Sequence, residues 1–255
     1  MSTLVISQSM YFPWLGVFEQ LRIADMYCFY DDVQFSRGFY NRVQLQRNGK
    51  SRYISVPIIK KSQNQIINTA QISYQENWIL DHRNKLKESL ADARYANDAI
   101  EIFEEVVSSK SPKLIDINKL CFQKLANYLG LFSNKKIYNS QEIKTGHKKN
   151  SSRLLEICQQ LGAKVYLTGH GAMNYLDHEL FEKNGIEVHY IKYRFDSYER
   201  RNRDYTPYLS SLDPIAHLGV NTKNSMQSET VYWRDAIKNP SKLLPNFNNE
   251  VLNVS

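Results

Sequence analysis

Residues able to do chemistry gather near the N-terminus. A carboxylate pair, Asp31-Asp32, ends an aromatic run, with Gln34, Asn41 and Arg42 close behind and Gln8, Tyr11 and Trp14 ahead of it. Carboxylates move protons or grip hydroxyl and ammonium groups. Successive strand residues point to opposite faces, so one of the two aspartates faces a given crevice. Asp32 is a candidate base or a turn-capping carboxylate. Arg42 is either a phosphate clamp, because guanidinium binds phosphate oxygens bidentately, or half of a surface ion pair. Gln8 and Asn41 can read hydroxyls or an amide. Tyr11 and Trp14 are stacking platforms for a base or sugar ring, or else core aromatics. His82 follows Trp78 by one helical turn and is the other candidate base, with a packed or surface histidine as its alternative.

These residues need elements that bring them together. Residues 4–6 are a short apolar run, and Pro13 forbids its simple continuation. Leu15, Phe18, Leu21 and Ile23 take helical spacing, and residues 26–30 are a second apolar run ending at Asp31. Strand, helix, strand makes a βαβ unit, with a right-handed crossover. Ligands gather at the carboxyl ends of such strands. Gln8, Tyr11 and Trp14 after the first strand, and Asp31, Asp32 and Gln34 after the second, are therefore expected in one crevice, with Asn41 and Arg42 carried near by the loop.

Composition sets limits. With 255 residues and 42% hydrophobic content the chain can bury a sizeable core. It has no apolar run near the ~20 residues a membrane helix requires and no cleavable leader, which points to a cytoplasmic protein. Cys28, Cys121 and Cys158 sit among apolar neighbours and read as inert reduced thiols. The net charge of +7 fits a solvated surface or a groove for nucleotide phosphates. Lys60-Lys61, Lys135-Lys136 and Lys148-Lys149 are scattered pairs, and Arg200, Arg201 and Arg203 form the densest cluster. His147, His170 and His178 match no standard zinc spacing, and no metal or cofactor is expected.

Along the rest of the chain, Asn48-Gly49-Lys50 between two alternating runs marks a β-hairpin. Residues 76–130 read as an all-helical insert in three helices, a candidate cap over the crevice. A helix over 150–161, a strand over 164–168, a Gly169-His170-Gly171 turn, a helix to 184 and a strand over 186–190 form a second βαβ unit. The turn is either a plain connection or an anion-holding helix start. The region 193–205 reads as a surface loop or edge strand, a short helix lies near 210–213, and the tail after 240 wraps or frays. The fold class is α/β: a mainly parallel sheet of βαβ units with flanking helices, a helical insert and a hairpin, taken as one domain over 1–255.

The chain resembles the WbqC-like family. The resemblance rests on Gln8, Tyr11-Phe12-Pro13-Trp14-Leu15-Gly16, Asp31-Asp32-Val33-Gln34-Phe35, Asn41-Arg42, Ser55-Val56-Pro57 and Trp78 with His82. It continues through Tyr166-Leu167-Thr168-Gly169, Tyr175-Leu176-Asp177 and Tyr208-Leu209-Ser210-Ser211-Leu212-Asp213. It adds Tyr175 to the expected substrate-binding set of Gln8, Tyr11, Trp14, Asp31, Gln34, Asn41, Arg42, Gly169, His170 and Gly171, with Asp32 and His82 catalytic. The chain departs from the family pattern at Ser7-Gln8-Ser9, where His-Gln-Pro is expected, and at His170-Gly171. The resemblance implies a transferase of bacterial surface-polysaccharide (O-antigen) synthesis. The implied reaction is acyl or aminoacyl transfer, glycyl for example, to a nucleotide-linked amino sugar from an aminoacyl-tRNA, carrier protein or CoA. A non-catalytic sugar-nucleotide-binding or assembly protein of that pathway is the alternative, and an RNA-binding role is a third, marked by steep salt dependence. The opening unit loosely resembles nucleotidylyltransferases, whose His-x-Gly-His is absent.

Overall fold

The structure is a computed structural model. It describes residues 2–35, 38, 40–47, 49–59, 64–146, 148–198 and 206–244, together with the backbone of 246–252. Asn48, Lys60-Lys61, His147, Arg200, Arg201 and Arg203 lie outside the described residues.

The opening unit forms as its apolar spacing requires: β1 (Thr3–Ser7), α1 (Leu15–Ile23) and β2 (Met26–Phe29). The hairpin follows as β3 (Arg42–Arg47) and β4 (Lys50–Ser55), turning where Gly49 takes φ +72°. A small antiparallel pair, β5 (Ile58–Ile59) and β6 (Gln71–Ile72), precedes the helices α2 (Trp78–Ser89), α3 (Ala96–Val107) and α4 (Leu114–Tyr128). Next come β7 (Lys136–Asn139), α5 (Asn150–Gln160), β8 (Val165–Thr168), α6 (His178–Lys183), β9 (Glu187–Lys192) and β10 (Arg194–Tyr198). The chain closes with α7 (Leu212–Leu218), β11 (Glu229–Tyr232), α8 (Trp233–Lys238) and β12 (Asn246–Leu252), and β12 wraps back beside β10.

The main sheet has six strands in the order β11-β9-β8-β1-β2-β7. All neighbours are parallel except β11, which runs antiparallel to β9. Strands buried on both faces read as continuous apolar runs, and β2 is buried at every position. Alternation then sorts the side chains. Val5, Tyr27 and Phe29 pack with α1 and α4, while Leu4, Ile6, Met26 and Cys28 pack with α5, α6 and α8. The sheet thus lies between two apolar layers, in the expected α/β architecture.

The helical insert joins the α1 layer. Phe18 of α1 stacks on Phe122 of α4 at 5.6 Å, and Phe103, Cys121 and Leu125 share that apolar cluster with Val5. Its amphipathic faces pack in the α1 layer, and none of its residues lines the crevice at the strand ends, so it is not the cap considered from the sequence. Among the described residues, no helix is long and apolar enough to cross a membrane.

Candidate functional site

The strand order places a switch point beside β1. From β1 the chain moves through α1 to β2, and it later returns through α5 to β8 on the other side of β1. Connections leaving in opposite directions splay apart at the carboxyl ends and leave a crevice there. An open crevice of about 510 Å³ occupies that place. Ser7 and Gln8 from the end of β1, Thr168 and Gly169 from the end of β8, and Tyr30 from the end of β2 line it. Asn150 and Leu154 enter from the start of α5, Gln20 from α1, and Val33, Gln34, Gly171 and Tyr175 from the loops.

The described lining consists of amides, hydroxyls, aromatic rings and apolar groups, without an acid, a base or a thiol. The amides are held. Tyr40 Oη donates to Gln8 Oε1 at 2.5 Å, so Gln8 has its NH₂ to offer to the crevice. Gln20 Nε2 donates to Tyr193 Oη at 2.6 Å, and Gln34 Nε2 to Asn64 Oδ1 at 3.3 Å. Tyr175 is the most open ring, 62% exposed. Gln8, Gln34, Gly169, Gly171 and Tyr175 from the expected set therefore do meet.

The other expected residues go elsewhere, each for a local reason. Tyr11 and Phe12 are wholly buried. Phe12 takes φ +40° ahead of Pro13, a left-handed turn that costs on the order of 1–3 kcal/mol and directs both rings inward. Phe12 then packs on Tyr11 at 4.8 Å and on Phe103 at 5.6 Å. Tyr11 Oη hydrogen-bonds His82 Nδ1 at 3.0 Å. His82 is itself 2% exposed, and burial pushes its pKa down to about 4. The expected crevice base is thus a neutral core histidine. Trp14 packs between Tyr193, Phe195 and Tyr208. A Cβ on Gly16 would fall 2.2 Å from the Trp14 ring, which is why glycine sits two residues after that tryptophan.

Asn41 Nδ2 donates to Val56 O at 2.8 Å and fastens the hairpin base. Arg42 is exposed at the start of β3 with its guanidinium 4.2 Å from the Tyr53 ring centre, a cation–π pair rather than a crevice clamp. Asp32 accepts from Ser140 Oγ and pairs with Arg153 of α5, so both oxygens are occupied. Arg153 also donates to Thr145 Oγ1 at 3.2 Å and lies 4.9 Å from the Tyr30 ring centre. This cluster braces Tyr30, a crevice wall, from behind. Asp31 is 4% exposed, beneath the strand ends and outside the crevice lining. His170 is half-buried and does not line it either.

The Gly169–Gly171 turn opens a 3-10 turn, His170–Asn174, instead of a long helix. The chain then restarts as α6, where Asp177 accepts from Leu180 N at 3.0 Å. Of the two alternatives for this turn, the short 3-10 element fits the plain connection better than a long helix start. His178 is also structural: its Nε2 meets Tyr190 Oη at 2.7 Å and its ring stacks on Trp233. All three cysteines are buried, and burial pushes the Cys28 thiol up to about 12. Among the described residues no group of three or more His, Cys, Asp or Glu side chains is placed to hold a metal ion.

Tyr30 and Thr168 were findable by the strand-end rule already applied to Gln8. Arg153, Gln20, Tyr40 and Asn150 carry no local signal, since their roles come from packing across the fold.

In α/β proteins, an open crevice at the switch point of a parallel sheet is the usual place for a small-molecule ligand. The sequence profile of the WbqC-like protein family matches residues 8–225, and the chain belongs to that family. It is 27% identical over 224 residues to an uncharacterized protein of Mycobacterium tuberculosis, covering 86% of this chain and 95% of that one. No solved structure matches it significantly.

Proposed function

We propose that this crevice binds a nucleotide-linked amino sugar and that the protein transfers an acyl or aminoacyl group to its amine, in bacterial surface-polysaccharide synthesis. The observation carrying this reading is the lining: held amides, hydroxyls and tyrosine rings at the β1/β8 switch point. Amides read hydroxyls and N-acyl or base carbonyls, and tyrosine rings stack on a sugar or base. The volume of about 510 Å³ lies within the range of small-molecule sites. In the transfer, the neutral amine attacks the acyl carbon of an activated ester or thioester. The C–N bond forms, the C–O or C–S bond breaks, and the leaving oxygen or sulfur takes the amine's proton. With such a donor the crevice contributes chiefly orientation. His82 and Asp32 are engaged elsewhere and have no step in this scheme.

A specific observation favours a second reading. The described lining is uncharged, which suits a protein that holds a sugar nucleotide without altering it. One experiment separates the two. The protein is incubated with a panel of nucleoside-diphosphate amino sugars and with acyl-CoA, acyl-carrier-protein and aminoacyl-tRNA donors, and the sugars are weighed by mass spectrometry. An added acyl mass supports transfer. Saturable binding without product from any donor supports the binding protein. Absence of binding to every sugar nucleotide overturns both.

A further inference from the structure

Beneath the crevice, two buried acceptors face a shortage of donors. Asp31 Oδ1 accepts the backbone N–H of Ser9 at 2.8 Å, while its Oδ2 is buried without a hydrogen-bond partner. Asn118 of α4 is 0% exposed, and its Oδ1 is likewise buried without a partner. Its amide cannot be turned round to remove the problem. Asn118 Nδ2 donates to the Tyr40 carbonyl at 2.8 Å, and a flip would set two acceptors against each other there. The same Nδ2 lies 3.3 Å from Ser9 O and 3.4 Å from Ser9 Oγ. Asp31 and Asn118 are thus both anchored on Ser9, from opposite partners. A buried unsatisfied acceptor is costly and an unpaired buried carboxylate more so, and a proton on Asp31 would remove its charge and turn Oδ2 into a donor.

We propose that Asp31 folds as the neutral acid, that its Oδ2–H is the donor for Asn118 Oδ1, and that this acid–amide link positions the crevice segment. Ser9 follows Gln8, and Tyr40 joins both sides: its carbonyl takes Asn118 Nδ2, and its hydroxyl orients the Gln8 amide. The link fastens the segment carrying Gln8 to α4 while Phe12 holds its left-handed turn. The charged and titratable surroundings fit. Lys119 of α4 favours the anion but is turned to Asn139 Oδ1 at 2.5 Å, and Asp32 disfavours it. Tyr27 and Cys28 on β2 are neutral neighbours, each with its pKa raised chiefly by burial. Burial is the largest influence on Asp31 and raises its pKa, against the lowering effect of the Ser9 N–H and hydroxyl.

The sign follows from linkage. A carboxyl whose folded pKa exceeds its unfolded one stabilises the fold at low pH, and that contribution is lost as pH rises through the folded pKa. Asp31→Asn mimics the neutral acid and supplies a permanent N–H donor. The experiment compares wild type and Asp31→Asn by chemical denaturation from pH 5 to 8, with difference infrared spectra at pH 7. The expected result is a wild-type folding constant that falls by up to tenfold per pH unit relative to the variant. A protonated-carboxyl C=O band, present in wild type and absent in Asp31→Asn, is expected with it. Parallel pH curves, or no such band, overturn the proposal. The infrared measurement uses wild type as its primary sample, so a variant that fails to fold leaves the test decisive. No ligand enters either measurement, so the outcome is independent of the proposed sugar site.

Discussion

The segment after β1 serves two regions with opposite chemistry. At one end Gln8 faces an open crevice walled by amides, hydroxyls and tyrosines. A few residues on, Tyr11 and His82 form a hydrogen-bonded pair in the sealed core, with the Trp78 ring in T-shaped contact with the histidine, centroids 5.1 Å apart. The region holding the reactive residue type is closed, and the open region holds unreactive types. Residue chemistry alone therefore misleads here. A histidine, an aspartate and an arginine were each absorbed by an interior or surface pairing, while the open ground went to glutamines, held by a tyrosine hydroxyl at Gln8 and Gln20 and by the Asn64 amide at Gln34.

The sharpest way to break this contrast is through acid. The folded pKa of His82, about 4, lies below the ordinary histidine value. Its stabilising contribution is complete above pH ~6.5 and is lost as pH falls toward 4. A gap of that size corresponds to a loss of about 3 kcal/mol of stability as acid charges this residue. His82→Gln should show a correspondingly shallower acid limb in denaturant titrations, at lower stability near neutrality. Sugar-nucleotide affinity per folded molecule should be unchanged. Loss of affinity with a pH midpoint near neutrality, removed by the substitution, would put His82 back in the crevice.

Next in size is Gly16. A methyl there meets the Trp14 ring at overlapping distance, with Tyr193, Phe195 and Tyr208 blocking that ring's retreat. Gly16→Ala should cost about 1–3 kcal/mol in urea unfolding, as overpacking does. Trp14→Leu in the same background should recover part of it. Independent, additive losses would show that the ring is free to move, and that the wall behind Gln20 is softer than drawn.

The sequence carried more of the scaffold than of the site. The alternating and continuous apolar runs marked β1, β2, the hairpin and the helices, because those elements follow local periodicity. The insertion of β8 between β1 and β9 did not follow, since pairing across the chain has no local signature. The same holds for Arg153 on Asp32, which lie 121 residues apart. The Tyr11 misplacement has a different origin. A strand-end rule carries side chains forward into the crevice, and the left-handed backbone at Phe12 reverses them. A non-glycine residue at positive φ before proline is too rare to expect from composition.

Smaller still is the effect that separates the crevice from the surface basic groups. Gln8→Ala removes the NH₂ offered to the ligand and leaves Tyr40 Oη with water in reach, so stability should move by less than ~0.5 kcal/mol. Affinity for a bound sugar nucleotide should fall about tenfold, as losing one neutral hydrogen bond implies. Arg42→Ala removes an exposed cation–π contact on the hairpin, worth about 0.5–1 kcal/mol at most. Titration calorimetry of both variants should show the glutamine change in affinity and the arginine change only in hairpin stability. If instead Arg42→Ala weakens binding more than Gln8→Ala, and does so with a steep dependence on salt, the ligand's phosphates lie on the hairpin. The uncharged crevice would then hold only the far end of a longer ligand.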